Sequence, residues 1–174
     1  MICTFILFLI YSISGTLLHF LFKLSNKNIV VGIIASVNES VWEHIKLLLT
    51  PIFFLSFIKF YITKNNNYFV LSVELLTAIT LIIVFNKLKL FLFKNKYNFI
   101  NLIFFYLTCL IVAVLNCTLK NIDIPNSINL VSLFIVMIIF IMYLTFTVFP
   151  LKNDLFKDPV CNTYGLDDCV NESV

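Results

Sequence analysis

The densest run of side chains able to do acid–base or metal chemistry lies in one short segment between two apolar runs. Its polar residues are Ser36, Asn38, Glu39, Ser40, Glu43, His44 and Lys46. Imidazoles and carboxylates are the usual ligands of catalytic zinc and the usual proton carriers of enzymes. This segment is therefore the first candidate for a functional site, with Glu43 and His44 as the candidate catalytic residues.

The spacing within the segment predicts an amphipathic helix. Ser36 followed three residues later by Glu39 fits a capping box, so we expect the helix to begin there. At about 100° per residue, one face of this helix is a polar stripe: Glu39, Glu43 and Lys46, flanked by Ser40 and His44. Trp42 points the other way and suits a lipid interface. The alternative interpretation is an ordinary hydrated helix end, in which Lys46 pairs with Glu43.

A metal site would need a second helix, because Glu43 and His44 diverge by about 100° around one helix. His19 lies near the end of the first apolar run and is the candidate partner. We therefore predict a divalent metal site built from His19, Glu39 and His44. The alternative for His19 is an interfacial histidine bonded to a backbone carbonyl.

The polar segment after the last apolar run carries Asp154 and Asp158. On the expected topology it returns to the same face as His44, where either aspartate could cover the site as a lid. Asp158 is followed by Pro159, so a plain turn is the alternative.

Glu74 is an acid inside an apolar run. A charge at mid-bilayer costs about 2.5 to 3.5 kcal/mol, so Glu74 should face the interior of the bundle. We expect a hydrogen bond to a neighbouring helix or a pair with Lys59, with a proton relay as the functional alternative.

The elements that position these residues are membrane helices. Hydrophobic residues make up 61% of the 174 residues and charged residues 12%, against about 25% charged in a soluble domain. Since a span needs about 20 apolar residues, five runs qualify: 2–22, 47–62 (extended back to about 37), 69–85, 99–119 and 128–149. The piece 88–93 is interpreted as interfacial. We predict an all-α integral membrane bundle with five transmembrane helices in residues 1–150, followed by a short polar cytoplasmic tail, 151–174.

The distribution of charged residues predicts the orientation of the chain in the membrane and limits the classes of partner that it could bind. Nine of the twelve lysines fall on the side of the tail and three on the other. The positive-inside rule then places the N-terminus outside and the C-terminus in the cytoplasm. A net charge of +3, without a clustered basic face, excludes a nucleic-acid partner. The expected partners are the lipid bilayer and either another membrane protein or further copies of this chain.

The sequence also resembles a known family. The residues that carry the resemblance are Val37-Asn38-Glu39-Ser40-Val-Trp42-Glu43-His44-Ile-Lys46, with Gly15 and His19 before them and Asp158-Pro159 and Tyr164-Gly165 near the end. They are similar to small multi-pass membrane proteins of low-GC Gram-positive bacteria, catalogued as a domain of unknown function. The resemblance implies a bacterial plasma membrane and no particular activity.

Three classes of function stay open on the sequence alone. The chain could be an accessory membrane subunit that binds a partner through its polar cluster. It could be a membrane-embedded metal-dependent hydrolase that uses Glu39, Glu43, His44 and His19. It could also be a small proton-coupled transporter that uses Glu74 and Glu43.

Overall fold

The computed structural model describes residues 1–64, 67–93 and 99–167, and within these ranges it contains helices and no strand. The helices are α1 Ile2–Leu24, α2 Ile29–Ile34, α3 Val41–Thr63, α4 Tyr68–Phe93, α5 Phe99–Leu119 and α6 Asn126–Thr145. All except α2 are long and apolar enough to cross a bilayer. The prediction of an all-α membrane bundle with five spans is confirmed.

The start of α3 differs from the prediction. The helix begins at Val41, and its N-cap is Ser40, whose Oγ accepts a hydrogen bond from the Glu43 backbone N–H. The predicted capping box at Ser36 is therefore wrong, as is an extension of the helix back to about residue 37. Ser40 and Glu43 have the same spacing as Ser36 and Glu39, and the later pair marks the boundary. Glu39 precedes the helix and does not belong to a stripe on it.

The piece 88–93 is not a separate element, because α4 continues through it to Phe93, and its interfacial position stays a prediction. No glycine or proline interrupts residues 68–93. In a bilayer, backbone groups must bond to one another, so a helix without such a break tends to continue.

The core forms where α1, α3, α4, α5 and α6 pack, with α4 in contact with α3, α5 and α6. One close approach requires glycine. A Cβ atom on Gly15 of α1 would lie 3.1 Å from the carbonyl oxygen of Leu47 and 2.5 Å from a ring carbon of Phe105. Pro51, inside α3, lacks the N–H that would otherwise bond this Leu47 carbonyl. Thus α1 packs closely against α3 at a point where the α3 ladder is interrupted.

The segment after α6 folds back onto the bundle. Phe156 is buried and its ring lies 5.3 Å from that of Trp42, which also contacts Phe146 at 5.2 Å. Trp42 is only 2% exposed, so its predicted place at the lipid interface is wrong. The backbone N–H of Trp42 donates to the Leu155 carbonyl at 3.0 Å. The described part of the predicted tail, 151–167, is therefore attached to the beginning of α3, while a boundary at residue 150 stays a prediction.

The bundle has two ends with different contents. At the N-terminal end, where α1 begins and α5 ends, a disulfide joins Cys3 to Cys117. The other end holds His19, His44 and the segment after α6, and is called the histidine end below.

Candidate metal centre

Three side chains meet at the histidine end: His19 from α1, Glu39 from the segment before α3, and His44 from α3. The carboxylate of Glu39 lies 3.5 Å from His19 Nε2 through one oxygen and 3.7 Å from His44 Nε2 through the other. One ligand atom from each residue lies within 4.8 Å of the other two. The three residues that the sequence nominated as metal ligands are thus brought together, although whether they bind a metal stays a prediction.

The separations suit a small divalent ion. Bonds from zinc to imidazole nitrogen or carboxylate oxygen measure about 2.0 to 2.2 Å, so two ligand atoms of a tetrahedral site lie about 3.4 Å apart. The two Glu39-to-histidine separations exceed this by a few tenths of an ångström. These two distances involve different Glu39 oxygens, and one ligand atom from each residue lies within 4.8 Å of the others, so the side chains would have to move closer together to complete a tetrahedral site.

The tautomer of His44 also suits a ligand. Its Nδ1 lies 2.9 Å from the Ser40 carbonyl oxygen, which can only accept, so Nδ1 carries the proton. In the neutral imidazole, Nε2, which faces Glu39, then keeps its lone pair. Histidines that bind metals usually donate their other ring N–H to a carbonyl or carboxylate in this way.

The segment that carries Glu39 is held by Asn38. The Asn38 side chain accepts from the Ser40 backbone N–H at 2.9 Å and donates to the Gly165 carbonyl at 2.9 Å. The Ser36 hydroxyl donates to the Asn38 backbone carbonyl at 2.8 Å. Asn38 and Ser40, both nominated from the sequence as part of the polar cluster, therefore position the candidate ligands from beside them.

The two aspartates proposed as a lid differ. Asp158 is 3% exposed, and one of its carboxylate oxygens accepts from the Glu39 backbone N–H at 3.4 Å. Its other oxygen accepts from the Val160 backbone N–H at 2.7 Å. Asp154 is exposed to solvent. Asp158 thus braces the Glu39 backbone, whereas Asp154 lies on the surface.

Glu43 and Lys46 form a buried ion pair instead of a hydrated stripe. Their side chains are 2% and 0% exposed, and Lys46 Nζ lies 2.8 Å from Glu43 Oε2. Lys46 also donates to the Gly32 carbonyl at 2.7 Å and to the Thr147 hydroxyl at 2.6 Å. Glu43 Oε2 accepts in addition from the Val37 backbone N–H at 3.0 Å. The catalytic role assigned to Glu43 stays a prediction, and its contacts favour a structural one.

Sequence reasoning missed Gly32 and Thr147 as partners of Lys46. Gly32 belongs to the short helix α2 and Thr147 follows α6, more than 100 residues after Lys46. Neither position has a local pattern that marks it. The one signal in the sequence was that Lys46 has a single nearby acid, Glu43, and would need further hydrogen-bond acceptors if it were buried.

Glu74 lies away from this centre, nearer the N-terminal end. The Tyr11 hydroxyl of α1 donates to Glu74 Oε1 at 3.2 Å, and the Asn116 side chain of α5 is a second hydrogen-bond partner. The structure thus places Glu74 inside the bundle, between helices, and apart from His19 and His44.

Comparison with known proteins gives a family but no activity. No curated protein matches the chain, and no solved structure matches it. A family model described as a family of unknown function (DUF6512) matches residues 1–166. This match spans every helix and the segment that braces the candidate ligands, and the chain therefore belongs to that family.

Proposed function

We propose that this protein binds a divalent transition-metal ion, with zinc as the first candidate, and uses it to hydrolyse a substrate at the membrane surface. The observation that carries the proposal is the convergence of His19, Glu39 and His44 with Nε2 of His44 free to coordinate. Two imidazoles and one carboxylate are a donor set of catalytic zinc sites.

The proposed centre leaves room for water. Catalytic zinc sites keep one coordination position open for water or substrate. The side chains of His19, His44 and Glu39 are 29%, 21% and 43% exposed, so the cluster is reachable from outside the bundle. A bound metal ion would make its water acidic enough to supply hydroxide near neutral pH and would polarise a substrate carbonyl or phosphoryl oxygen.

The partner-binding alternative loses its main support. It assigned partner recognition to the polar stripe, but Glu43 and Lys46 are buried and bonded to each other. Charges in that state offer no surface to a second protein. The side chains that remain accessible, those of His19, Glu39 and His44, are suited to binding a metal ion.

We also propose that the histidine end faces the cytoplasm of a bacterial plasma membrane. The lysine asymmetry supports this orientation. Disulfide-bonded cysteines occur at both ends, Cys3 with Cys117 at one and Cys161 at the other, so cysteine oxidation does not indicate which end faces the cytoplasm.

The orientation can be tested by labelling introduced cysteines. A cysteine introduced at exposed Asp154 should resist an impermeant thiol reagent in intact cells. A cysteine introduced at exposed Ile122, between α5 and α6, should react, and the reverse pattern would invert the orientation.

The first experiment is the metal content of the purified, tag-free protein by mass spectrometry. We expect close to one metal ion per chain in the parent and a large loss in the His44→Ala and Glu39→Gln variants. Asp154→Asn is the matched control, because it removes an exposed carboxylate at the same end and should keep the metal. Metal-free parent protein that takes up no added zinc would overturn the proposal.

Thermal unfolding separates loss of the site from loss of the fold. A ligand present at 100 times its dissociation constant stabilises the folded state by about 2.7 kcal/mol. Added zinc should therefore raise the Tm of the parent and of Asp154→Asn, and leave that of His44→Ala unchanged.

The hydrolytic step has its own test. Chromogenic carboxylic and phosphate esters with an acyl chain would be offered to the metal-loaded parent in detergent micelles. Turnover that disappears in His44→Ala supports hydrolysis. Stoichiometric metal without turnover of either ester class would leave a structural metal centre and remove the enzyme assignment.

A further inference from the structure

A second site, independent of the metal centre, lies near the N-terminal end. A pocket of about 380 Å³ opens there between α1, α3, α4 and α5. Its polar lining includes Tyr11, Glu74, Asn116 and Lys59. Nothing in the proposed metal chemistry uses these residues.

The pocket holds a buried carboxyl group that forms no direct ion pair with any residue that the structure describes. Glu74 is 2% exposed, and its hydrogen-bond partners, Tyr11 and Asn116, are both neutral. Burial of an ionised carboxylate is costly unless a cation accompanies it. An added cationic group in the pocket would therefore gain a strong interaction that the protein does not supply.

The pocket also holds a cation that is available to a ligand. Lys59 of α3 lines the same space and is exposed. Among the residues that the structure describes, its ammonium makes no ion pair with Glu74 or any other acid. One pocket thus presents a carboxylate and an ammonium that are not paired with each other.

The remaining walls are largely apolar. They consist mainly of aliphatic side chains: Leu7, Leu55, Ile58, Ile62, Val70 and Leu71. Apolar walls around a few polar groups are the usual construction of a site for a small organic ligand. Here the construction suits an amphiphile with charged groups at one end.

We propose that this pocket binds a zwitterionic amphiphile, with its ammonium on Glu74 and its anionic group on Lys59. A phosphoethanolamine group has this chemistry, because a primary ammonium can donate to Glu74 and a phosphate can accept from Lys59. It could reach the pocket as a phospholipid headgroup or as a soluble phosphate ester. The position within the membrane-spanning helices favours the lipid.

The test is titration calorimetry with the full chain in detergent micelles. The probes are short-chain phosphatidylethanolamine, the matched phosphatidylcholine and phosphatidylglycerol, and soluble phosphoethanolamine. We expect phosphatidylethanolamine to bind at least tenfold more tightly than either matched lipid, because choline cannot donate an N–H and glycerol has no cation. Binding of soluble phosphoethanolamine with the same affinity would identify the soluble source, and weaker binding the lipid.

Two variants assign the binding to this pocket. Leu71→Trp fills it, whereas Leu76→Trp places the same ring on the same helix at a position that is 44% exposed. We expect Leu71→Trp and Lys59→Met to weaken phosphatidylethanolamine binding at least tenfold, and Leu76→Trp to leave it unchanged. Lys59 is exposed, so its replacement does not endanger the fold.

Three outcomes would overturn the proposal. They are equal affinity for all three lipids, unchanged affinity in both Leu71→Trp and Lys59→Met, and no binding of any probe to the parent. The metal content of the parent is a separate readout, so failure here leaves the metal proposal standing.

Discussion

Two buried carboxylates, Glu43 at the histidine end and Glu74 near the N-terminal end, have opposite surroundings. Glu43 is paired at 2.8 Å with a buried lysine and accepts a backbone hydrogen bond as well. Among the residues that the structure describes, the hydrogen-bond partners of Glu74 are neutral, and Lys59, which lines the same pocket, is exposed and forms no ion pair with it.

The difference favours a structural role for Glu43 and is the basis for the ligand that we propose at Glu74. Glu43 and Lys46 connect α2, α3 and the residues after α6. Their charges are therefore neutralised by each other and by hydrogen bonds within the protein. Glu74 faces a pocket of about 380 Å³. The role of a buried acid in this protein therefore depends on the groups that contact it.

The largest expected effect comes from breaking the Glu43–Lys46 pair. Lys46→Met leaves the Glu43 charge buried without its cation, and removing one partner of a buried pair costs about 3 to 5 kcal/mol. Equilibrium unfolding in mixed micelles should show this loss. The control, Lys59→Met, removes an exposed lysine of the same helix and should change the free energy of unfolding by less than about 0.5 kcal/mol.

A double variant sharpens that result. Glu43→Gln combined with Lys46→Met removes both charges and should recover much of the stability lost in Lys46→Met. Equal stability of Lys46→Met and Lys59→Met would show that the two ends do not differ as described.

The next largest effect concerns the brace on the candidate ligand. Asp158→Ala removes the carboxylate that accepts from the Glu39 backbone N–H. Loss of a partner that orients a ligand typically lowers metal affinity 10- to 100-fold. Competition with a chelator of known affinity would measure this change. The exposed Asp154→Ala is the control, and equal zinc affinities in the two variants would remove Asp158 from the site.

A smaller effect is expected at the helix cap. Ser40→Ala removes the hydroxyl that accepts from the Glu43 backbone N–H, a change that typically costs about 1 kcal/mol. The backbone carbonyl that orients His44 is kept, so zinc affinity should not change. Unfolding measurements and metal content together check this prediction, and loss of zinc would contradict it.

The smallest expected effect is on stability at Glu74. Glu74→Gln keeps an oxygen that can accept from Tyr11, so we expect a change of roughly 0.5 kcal/mol in the free energy of unfolding. The same substitution at Glu43 leaves a buried lysine without its anion and should cost several times more. Both variants would be unfolded in the same micelles. Similar losses in the free energy of unfolding would contradict the difference described between Glu43 and Glu74.

The spans and the His19–Glu39–His44 cluster follow from simple features of the sequence. Five apolar runs cross in alternating directions, so the end of the first must meet the beginning of the second. That topology alone brings His19 near His44. Glu39 joins them because it immediately precedes the helix that carries His44.

The errors have equally physical causes. Ser36 and Ser40 each precede a glutamate by three residues, and local spacing does not say which serine caps the helix. The burial of Trp42 depends on Phe156, more than 100 residues later, and no local pattern signals that contact. Tyr11 and Asn116 are polar groups in apolar runs and could have been considered as partners of Glu74 on that ground.

The brace on Glu39 has a consequence for the order of events during synthesis. The Glu39 backbone N–H donates to Asp158, 119 positions later, and the Asn38 side chain donates to the Gly165 carbonyl, 127 positions later. The ribosome therefore makes all five spans before the chain that fixes the ligand segment exists. The proposed metal site would therefore reach its final geometry only after the last span has been synthesised.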